Sequence, residues 1–539
     1  MHTTGMISER KVVFLEWVLI IAFSVFPVFL SFPYRVNIFL SWEGAYRMSE
    51  GQMPFRDFGI PLGYMFWVVP ALFIKIFGPA LVTLVKAQAF LNIIAGFSFR
   101  AILRNFEVPP GVRLVSVLVF LLSYSFINFW PWYNHSVIVY ELVALAFLTT
   151  FIMGQRKLVW LVAAGIFSFI SFFTKQDAGA LCILFCLVLL GYDLWLERKW
   201  KPIAIYVLSV AVVAALVLLP LLRYEFTYWF NLGQAPHSSR FNLADLINDI
   251  LLRSHSLKLS LLMVVAAGIL VWYNNGDFFR NRERIFHLLL TLGFLAQALI
   301  LQVTSYTPPD NNIYFQAFTF AYLFTVIARF LPVPWTKPLP VILMIAAVFL
   351  WKSEIYGGYI NRILSAGRIP DAAKSSTGEN VVNRSNYLVT APGKDIPEFL
   401  WQRVDTGVFR KMNMPLPTIQ GMERLLAMDV IKKEGLAVLN MSELTPLAAI
   451  IPYEPGKGTD HPLWYHLGVG MFNREAGNFE KKIAAKYYDL VLYETVPGLN
   501  NFYPFRVRDS LRIHYRKVDS FYAPRRGPET MGTIEVYVR

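Results

Sequence analysis

A series of long apolar runs constrains this chain more than any other feature. They fall near residues 12–31, 80–99, 114–129, 136–153, 158–174, 178–195, 203–222, 257–273, 285–304, 312–330 and 338–351. A bilayer's hydrocarbon core of ~30 Å is crossed by about 20 helical residues, so the pattern predicts eleven membrane spans. Only 16% of the 539 residues are charged and 56% are hydrophobic, against about a quarter charged in a soluble domain. Those proportions exclude a disordered chain. Cys182 and Cys186 are the two cysteines; four apart in an apolar run, they exclude a disulfide framework and read as small packing residues.

The first run, Val12 to Ser31, follows Arg10 and Lys11. It is too long for a signal-peptide core and lacks a small-residue cleavage site, so it is expected to remain as an anchor. Basic clusters recur at every second connection: Arg100/Arg104/Arg113, Arg156-Lys157, Arg198-Lys199, Arg280/Arg282/Arg284 and Arg329 to Lys337. Lys and Arg mark the cytoplasmic side. The net charge of +14 therefore informs topology and implies no nucleic-acid partner. The alternate connections, 128–135, 174–177, 223–256 and 305–312, are richer in Tyr, Trp, Asn, His and Pro and face outward. Residues 62–77 break this parity if they span. They are short and hold Pro70 and Lys75, and so are expected to form an interfacial or re-entrant helix.

After Trp351 the composition turns charged and rich in Pro and Gly. The expected division is a membrane domain over 1–351 and an extramembrane α/β domain over 352–539, on the outer side. Strand-like runs lie at 435–440, 489–493 and 533–538, and helical spacing at 419–433 and 475–488.

The first outer loop, Trp42-Glu43-Gly-Ala-Tyr46-Arg-Met-Ser-Glu50-Gly51-Gln-Met-Pro-Phe55-Arg56-Asp57-Phe58-Gly59, carries the strongest chemical signal. Glu43, Tyr46 and Glu50 repeat at helical spacing and share one face of a short helix ending at Gly51. Arg56-Asp57 follows in a tight connection. An acidic residue, then Tyr, then Gly-x-x-Pro-Phe-Arg-Asp-Phe and Pro-Leu-x-Tyr resembles the first periplasmic loop of the GT-C glycosyltransferases, integral-membrane enzymes related to protein O-mannosyltransferases and lipid A aminoarabinose transferases. The resemblance implies a GT-C-like polytopic α-helical fold in a bacterial inner membrane, with the tail in the periplasm. It also implies transfer of a monosaccharide from a polyprenyl-phosphate donor to a lipid, glycan or protein acceptor. In that family the acidic residue serves the acceptor. Many members carry Asp where this chain has Glu43, so the base is Glu43 or Asp57, with Glu43 expected and Asp57 as second carboxylate or brace.

Such a donor brings its own leaving group, so the chemistry needs a carboxylate at the acceptor hydroxyl and donors at the departing phosphate. Lys175 and Gln176, in Thr-Lys-Gln-Asp-Ala-Gly at an outer helix end, and Arg223 are the expected phosphate-binding groups. A Lys175–Asp177 pair is the alternative for the lysine. Tyr46, Arg56, Tyr133, Asn134, His135, His237, Arg240, Tyr306 and Asn311 are the expected pocket residues. The 128–135 connection holds no acidic residue, and no obligatory metal is expected. His461 and His466 lack the spacing of a zinc helix. A transporter of lipid-linked sugars and a non-catalytic scaffold are the rival readings. A transporter would be expected to show paired broken helices or internal repeats, and the sequence displays neither.

Overall fold

The computed structural model describes residues 8–34, 38–127, 129–154, 156–224, 226–230, 247, 255–274, 277–304, 313–331, 337–351, 353, 396, 400–404, 407–451, 453–458, 461–463, 472–495, 503–524 and 532–539. The helices through the apolar part are α1 (Glu9–Val25), α2 (Ile38–Ser49), α3 (Met65–Phe77), α4 (Leu81–Asn105), α5 (Pro110–Ile127), α6 (Tyr133–Met153), α7 (Leu158–Phe172), α8 (Gln176–Glu197), α9 (Lys201–Leu218), α10 (His255–Tyr273), α11 (Arg282–Thr304), α12 (Ile313–Phe330) and α13 (Pro338–Trp351). The tail adds α14 (Leu416–Leu426), α15 (Phe472–Ala484) and α16 (Phe505–His514). Each of the eleven apolar runs coincides with a helix. Among the described residues six of these helices are long and apolar enough to cross a membrane, and the other five are shorter apolar helices. The chain is polytopic and mostly helical, as its apolar periodicity requires.

The chain packs as two compact units. The first comprises Met1–Pro27, Gln88–Val217 and Arg240–Leu364; the second comprises Val28–Ala87, Leu218–Ser239 and Ser365–Arg539. Val28–Ala87, which includes the loop from Trp42 to Gly59, thus groups with the tail.

In the first unit α6 is the core helix, packed against α7 and α8, while α5 packs against α1 and α12. Apolar on every side, α6 buries most of its length, as a helix central to a bundle does. By contrast α9 exposes Val207, Leu208, Val212 and Leu216, which suits contact with lipid tails. Two glutamates inside the runs find partners. Glu16 of α1 receives Arg100 of α4 at 2.6 Å and Arg113 of α5 at 2.7 Å. Glu141 of α6 accepts from Gln297 of α11 at 2.8 Å. At the basic helix ends Arg282 reaches both Asp193 and Glu197, and Arg156 also binds Asp193.

In the second unit α3 packs against α2. At 13 residues and 1.5 Å per residue it is about 20 Å long. The strands are β1 (Phe32–Pro33), β2 (Gln402–Val404), β3 (Met412–Met414), β4 (Val438–Met441), β5 (Leu490–Thr495), β6 (Arg516–Tyr522) and β7 (Thr533–Val538). A three-stranded sheet of order β1-β3-β2 joins the chain just after α1 to the tail, β1 parallel to β3. The larger sheet has order β4-β5-β7-β6, with β4 parallel to β5 and the other pairs antiparallel. All six residues of β5 are buried, as in a strand covered on both faces. Leu439, Phe479, Val491, Leu511 and Tyr537 share the core that joins this sheet to α15 and α16. The three expected strands and both expected helices exist; β7 has the expected bounds and the other four have shifted ends. β6 and α16 carry no comparable signal, because charged residues fill their exposed faces.

Candidate active site

The site forms within the second unit. Helix α2 ends as its sequence requires: Gly51 takes φ +86, and the Gln52 N–H returns to the Arg47 carbonyl at 2.9 Å, a left-handed cap that favours glycine. The chain then makes a tight turn. The Asp57 N–H binds the Met53 carbonyl at 2.9 Å and the Phe55 N–H binds the Phe58 carbonyl at 2.7 Å. Phe55 and Phe58 are fully buried with Trp42 and Trp67, each such burial contributing on the order of 2–3 kcal/mol. Phe58 meets Trp67 edge to face at 5.8 Å, and Phe55 meets Phe226 in the same way at 5.2 Å. The turn is tied to the tail by backbone hydrogen bonds. Gly458 N–H binds the Asp57 carbonyl at 2.9 Å, Gly59 N–H binds the His461 carbonyl at 2.9 Å, and Leu463 N–H binds the Gly59 carbonyl at 3.0 Å.

These ties bring Glu43, Arg47 and His461 together. Arg47 is 2% exposed and donates from Nε at 2.9 Å and Nη2 at 2.7 Å, both to Glu43 Oε1. Its Nη1 donates to Gln52 Oε1 at 3.0 Å and to the Gly456 carbonyl at 2.7 Å. Its Nη2 also lies 3.3 Å from His461 Nε2. Each of the five guanidinium N–H groups thus has an acceptor. Among the described residues no donor reaches Glu43 Oε2. Burial raises the Glu43 carboxyl above the usual carboxylate range, against the opposing charge and hydrogen bonds of Arg47. The His461 ring is held well below the ordinary imidazole range by burial, then by the charges of Arg47 and Lys482, so it is neutral and able to accept.

Glu43, Arg47 and His461 line a small cavity with about 20 Å³ of free volume, room for one water-sized group. Asn440, Ser442, Thr445 and Tyr453 add a polar wall. Thr445 Oγ1 is buried and has no hydrogen-bond partner among the described residues. Glu43, with Oε2 unbonded among the described residues, and Thr445 thus line the same cavity.

Asp57 is arranged differently. Its Oδ2 accepts from the Met53 N–H at 2.7 Å and from Arg56 Nε and Nη2 at 2.9 and 2.6 Å. Burial raises its pKa, but the Arg56 and Met53 hydrogen bonds outweigh that and hold it below the usual range. Arg56 also donates to the Gly51 carbonyl at 3.1 Å. This carboxylate braces the turn. Tyr46 stacks on Trp42 at 4.5 Å and donates to the Ala448 carbonyl at 3.4 Å, while Glu50, expected on the same face, is exposed. Arg223 ends a short 3-10 turn, exposed, with its guanidinium 5.2 Å from the Tyr224 ring centre.

Lys175, Gln176, Tyr133, Asn134 and His135 belong to the first unit. Lys175 caps α8, lies 3.1 Å from Asp177 and stands 5.9 Å from the Tyr133 ring centre; the ion pair considered from the sequence is present. Asn134 Oδ1 and both His135 ring nitrogens are buried and have no hydrogen-bond partner among the described residues. His237, Arg240, Tyr306 and Asn311 lie outside the described residues. No group of three or more His, Cys, Asp or Glu suited to a metal occurs among the described residues.

Arg47 and His461 were not among the expected site residues. Arg47 sits four residues after Glu43, a spacing at which helical side chains meet, so its signal was available. His461 lies 414 residues from Arg47, and only folding joins them.

No protein-family model matches the chain, and no curated protein matches it. Among solved structures it is similar to ArnT from Cupriavidus metallidurans bound to undecaprenyl phosphate, at 12% identity over 97% of both chains with a TM-score of 0.48. It is also similar to the apo state of ArnT from the same organism, at 11% identity over 97% of both chains with a TM-score of 0.38.

Proposed function

We propose that this chain is an inverting GT-C-type glycosyltransferase of the bacterial inner membrane, with its tail in the periplasm. It moves a monosaccharide from a polyprenyl-phosphate donor to a hydroxyl of a lipid, glycan or protein acceptor on the outer face. The observation that carries this reading is the Glu43 carboxylate, fixed through Oε1 and open at Oε2 beside a hydroxyl-sized polar cavity. The donor class rests on the resemblance of the loop between Glu43 and Tyr64 to GT-C enzymes.

In the proposed displacement the acceptor hydroxyl donates to Glu43 Oε2 and accepts from Thr445 Oγ1. Its oxygen attacks the anomeric carbon as the bond from that carbon to the phosphate oxygen breaks. Glu43 takes the hydroxyl proton, and the polyprenyl phosphate leaves with the bonding electrons. A carboxyl with a raised pKa suits this step, since proton transfer is most efficient when the base titrates near the working pH. Asp57, with a lowered pKa and its Oδ2 holding the turn, is a weaker base and serves as the brace. Lys175, Gln176 and Arg223 are proposed to receive the phosphate, Lys175 after exchanging Asp177 for it. The displacement calls on no metal.

The test is transfer from a panel of radiolabelled polyprenyl-phosphate monosaccharides to envelope extract by the reconstituted protein. Glu43→Gln is expected to lower kcat by about 10²–10⁴-fold with donor binding retained. Full activity in that variant removes Glu43 from the role.

A further inference from the structure

We infer that His461 is a positioning residue for Glu43: its Nε2 accepts the remaining N–H of Arg47 and so locks the guanidinium that holds Glu43 Oε1, leaving Oε2 to the cavity. The inference rests on Glu43 being the base of the proposed transfer. It follows from a count of donors. Arg47 has five N–H groups, four of them taken by Glu43 Oε1 twice, Gln52 Oε1 and the Gly456 carbonyl. The fifth points to His461 Nε2 at 3.3 Å. Arginine only donates, so Nε2 is unprotonated and the ring proton sits on Nδ1. Remove that acceptor and a guanidinium 2% exposed retains an unsatisfied donor, which costs enough to drive a rearrangement.

The surroundings are built to hold the ring there. A Cβ on Gly456 would approach His461 Cε1 to 2.9 Å, so glycine lets the backbone carbonyl and the imidazole reach Arg47 together. Phe479 of α15 packs edge-on against the ring at 5.8 Å. The His461 carbonyl is fixed by the Gly59 N–H at 2.9 Å and Gly458 by the Asp57 carbonyl. The charged and titratable groups near His461 are Arg47 from α2 and Lys482 from α15; those near Glu43 are Arg47 and Tyr453. Two cations and burial keep the imidazole neutral. Beyond bracing itself, the turn held by Asp57 therefore sets the register in which the tail delivers an acceptor to Arg47.

The experiment compares His461→Ala and His461→Gln in the full-length protein reconstituted in bilayers. Infrared titration of the Glu43 carboxyl, assigned by difference against Glu43→Gln, needs no substrate. In His461→Ala the looser guanidinium is expected to raise the Glu43 titration point by about half a unit or more. The kcat is expected to fall roughly ten- to a hundredfold with donor KM nearly unchanged. His461→Gln, whose amide oxygen also accepts, is expected to recover most of both. An unchanged Glu43 titration in His461→Ala overturns the inference. So does a Gln variant as defective as Ala, which would assign the ring's packing on Phe479 the whole effect. If the titrations behave as expected but the wild-type chain transfers no sugar, the glycosyltransferase reading falls and the positioning role stands.

Discussion

Glu16 and Glu43 are both helical glutamates bonded to arginine, and they are wired in opposite ways. Glu16, fully buried in the first unit, spends one carboxylate oxygen on Arg100 and the other on Arg113. Its arginines are the incomplete partners: among the described residues neither Nη2 has an acceptor. Glu43, in the second unit, gives a single oxygen to a single arginine whose five donors are all matched. A strut saturates its carboxylate to tie helices α1, α4 and α5 together. The site proposed at Glu43 saturates the cation and leaves the carboxylate one oxygen short, beside a cavity.

Either glutamate can be used to challenge this contrast, and the strut should respond most. Glu16→Ala strips two buried guanidinium groups of their counter-charge and is expected to cost about 3–5 kcal/mol of stability, read as thermal unfolding in detergent, with transfer per folded molecule nearly unchanged. A large activity loss without unfolding would make Glu16 part of the site. At Glu43 the order of effects reverses: the glutamine variant is expected to lose transfer and little stability.

A smaller effect is expected at Asp57. Asp57→Asn weakens the bonds from Arg56 and is expected to cost about 1–2 kcal/mol, with kcat lowered by less than about tenfold. A loss as deep as that of Glu43→Gln would transfer the base role to Asp57. The pH profile tests the same distinction more finely. Burial raises the Glu43 carboxyl, so transfer is expected to fall on the acid side at a pH above the ordinary glutamate range, as Oε2 protonates. Asp57 is held below its ordinary value. The stability it contributes is present above its unfolded pKa and fades only as pH drops through the lowered folded value, so Asp57→Asn should leave the acid limb of kcat in place.

Much of this molecule was legible before folding. All eleven apolar runs became helices, because a bilayer's thickness sets a length and a hydropathy that are local properties of a sequence. The end of α2 at Gly51 was legible for the same kind of reason: a left-handed cap favours glycine. Residues 62–77 gave a short apolar helix, Met65–Phe77, that holds Pro70 and Lys75. The tail's central strands could be read from their apolar runs. β6, edged by Arg516, Lys517 and Asp519, could not, since an exposed edge strand needs no apolar pattern.

Glu43 was picked out by its place in an aromatic, acid-bearing loop, and Arg47 was within reach of the four-residue rule. Their environment was not. Which segments are helical, where the basic ends lie and which loop carries the acids all follow from the order of residues, because hydropathy, helix period and turn chemistry act over a few positions. Folding in three dimensions added that His461 completes Arg47 and that Thr445 lines the same cavity as Glu43. Those outcomes depend on which donors and acceptors meet across more than 400 residues of chain, and a hydrogen bond is fixed by distance and direction in space, not by order along the backbone.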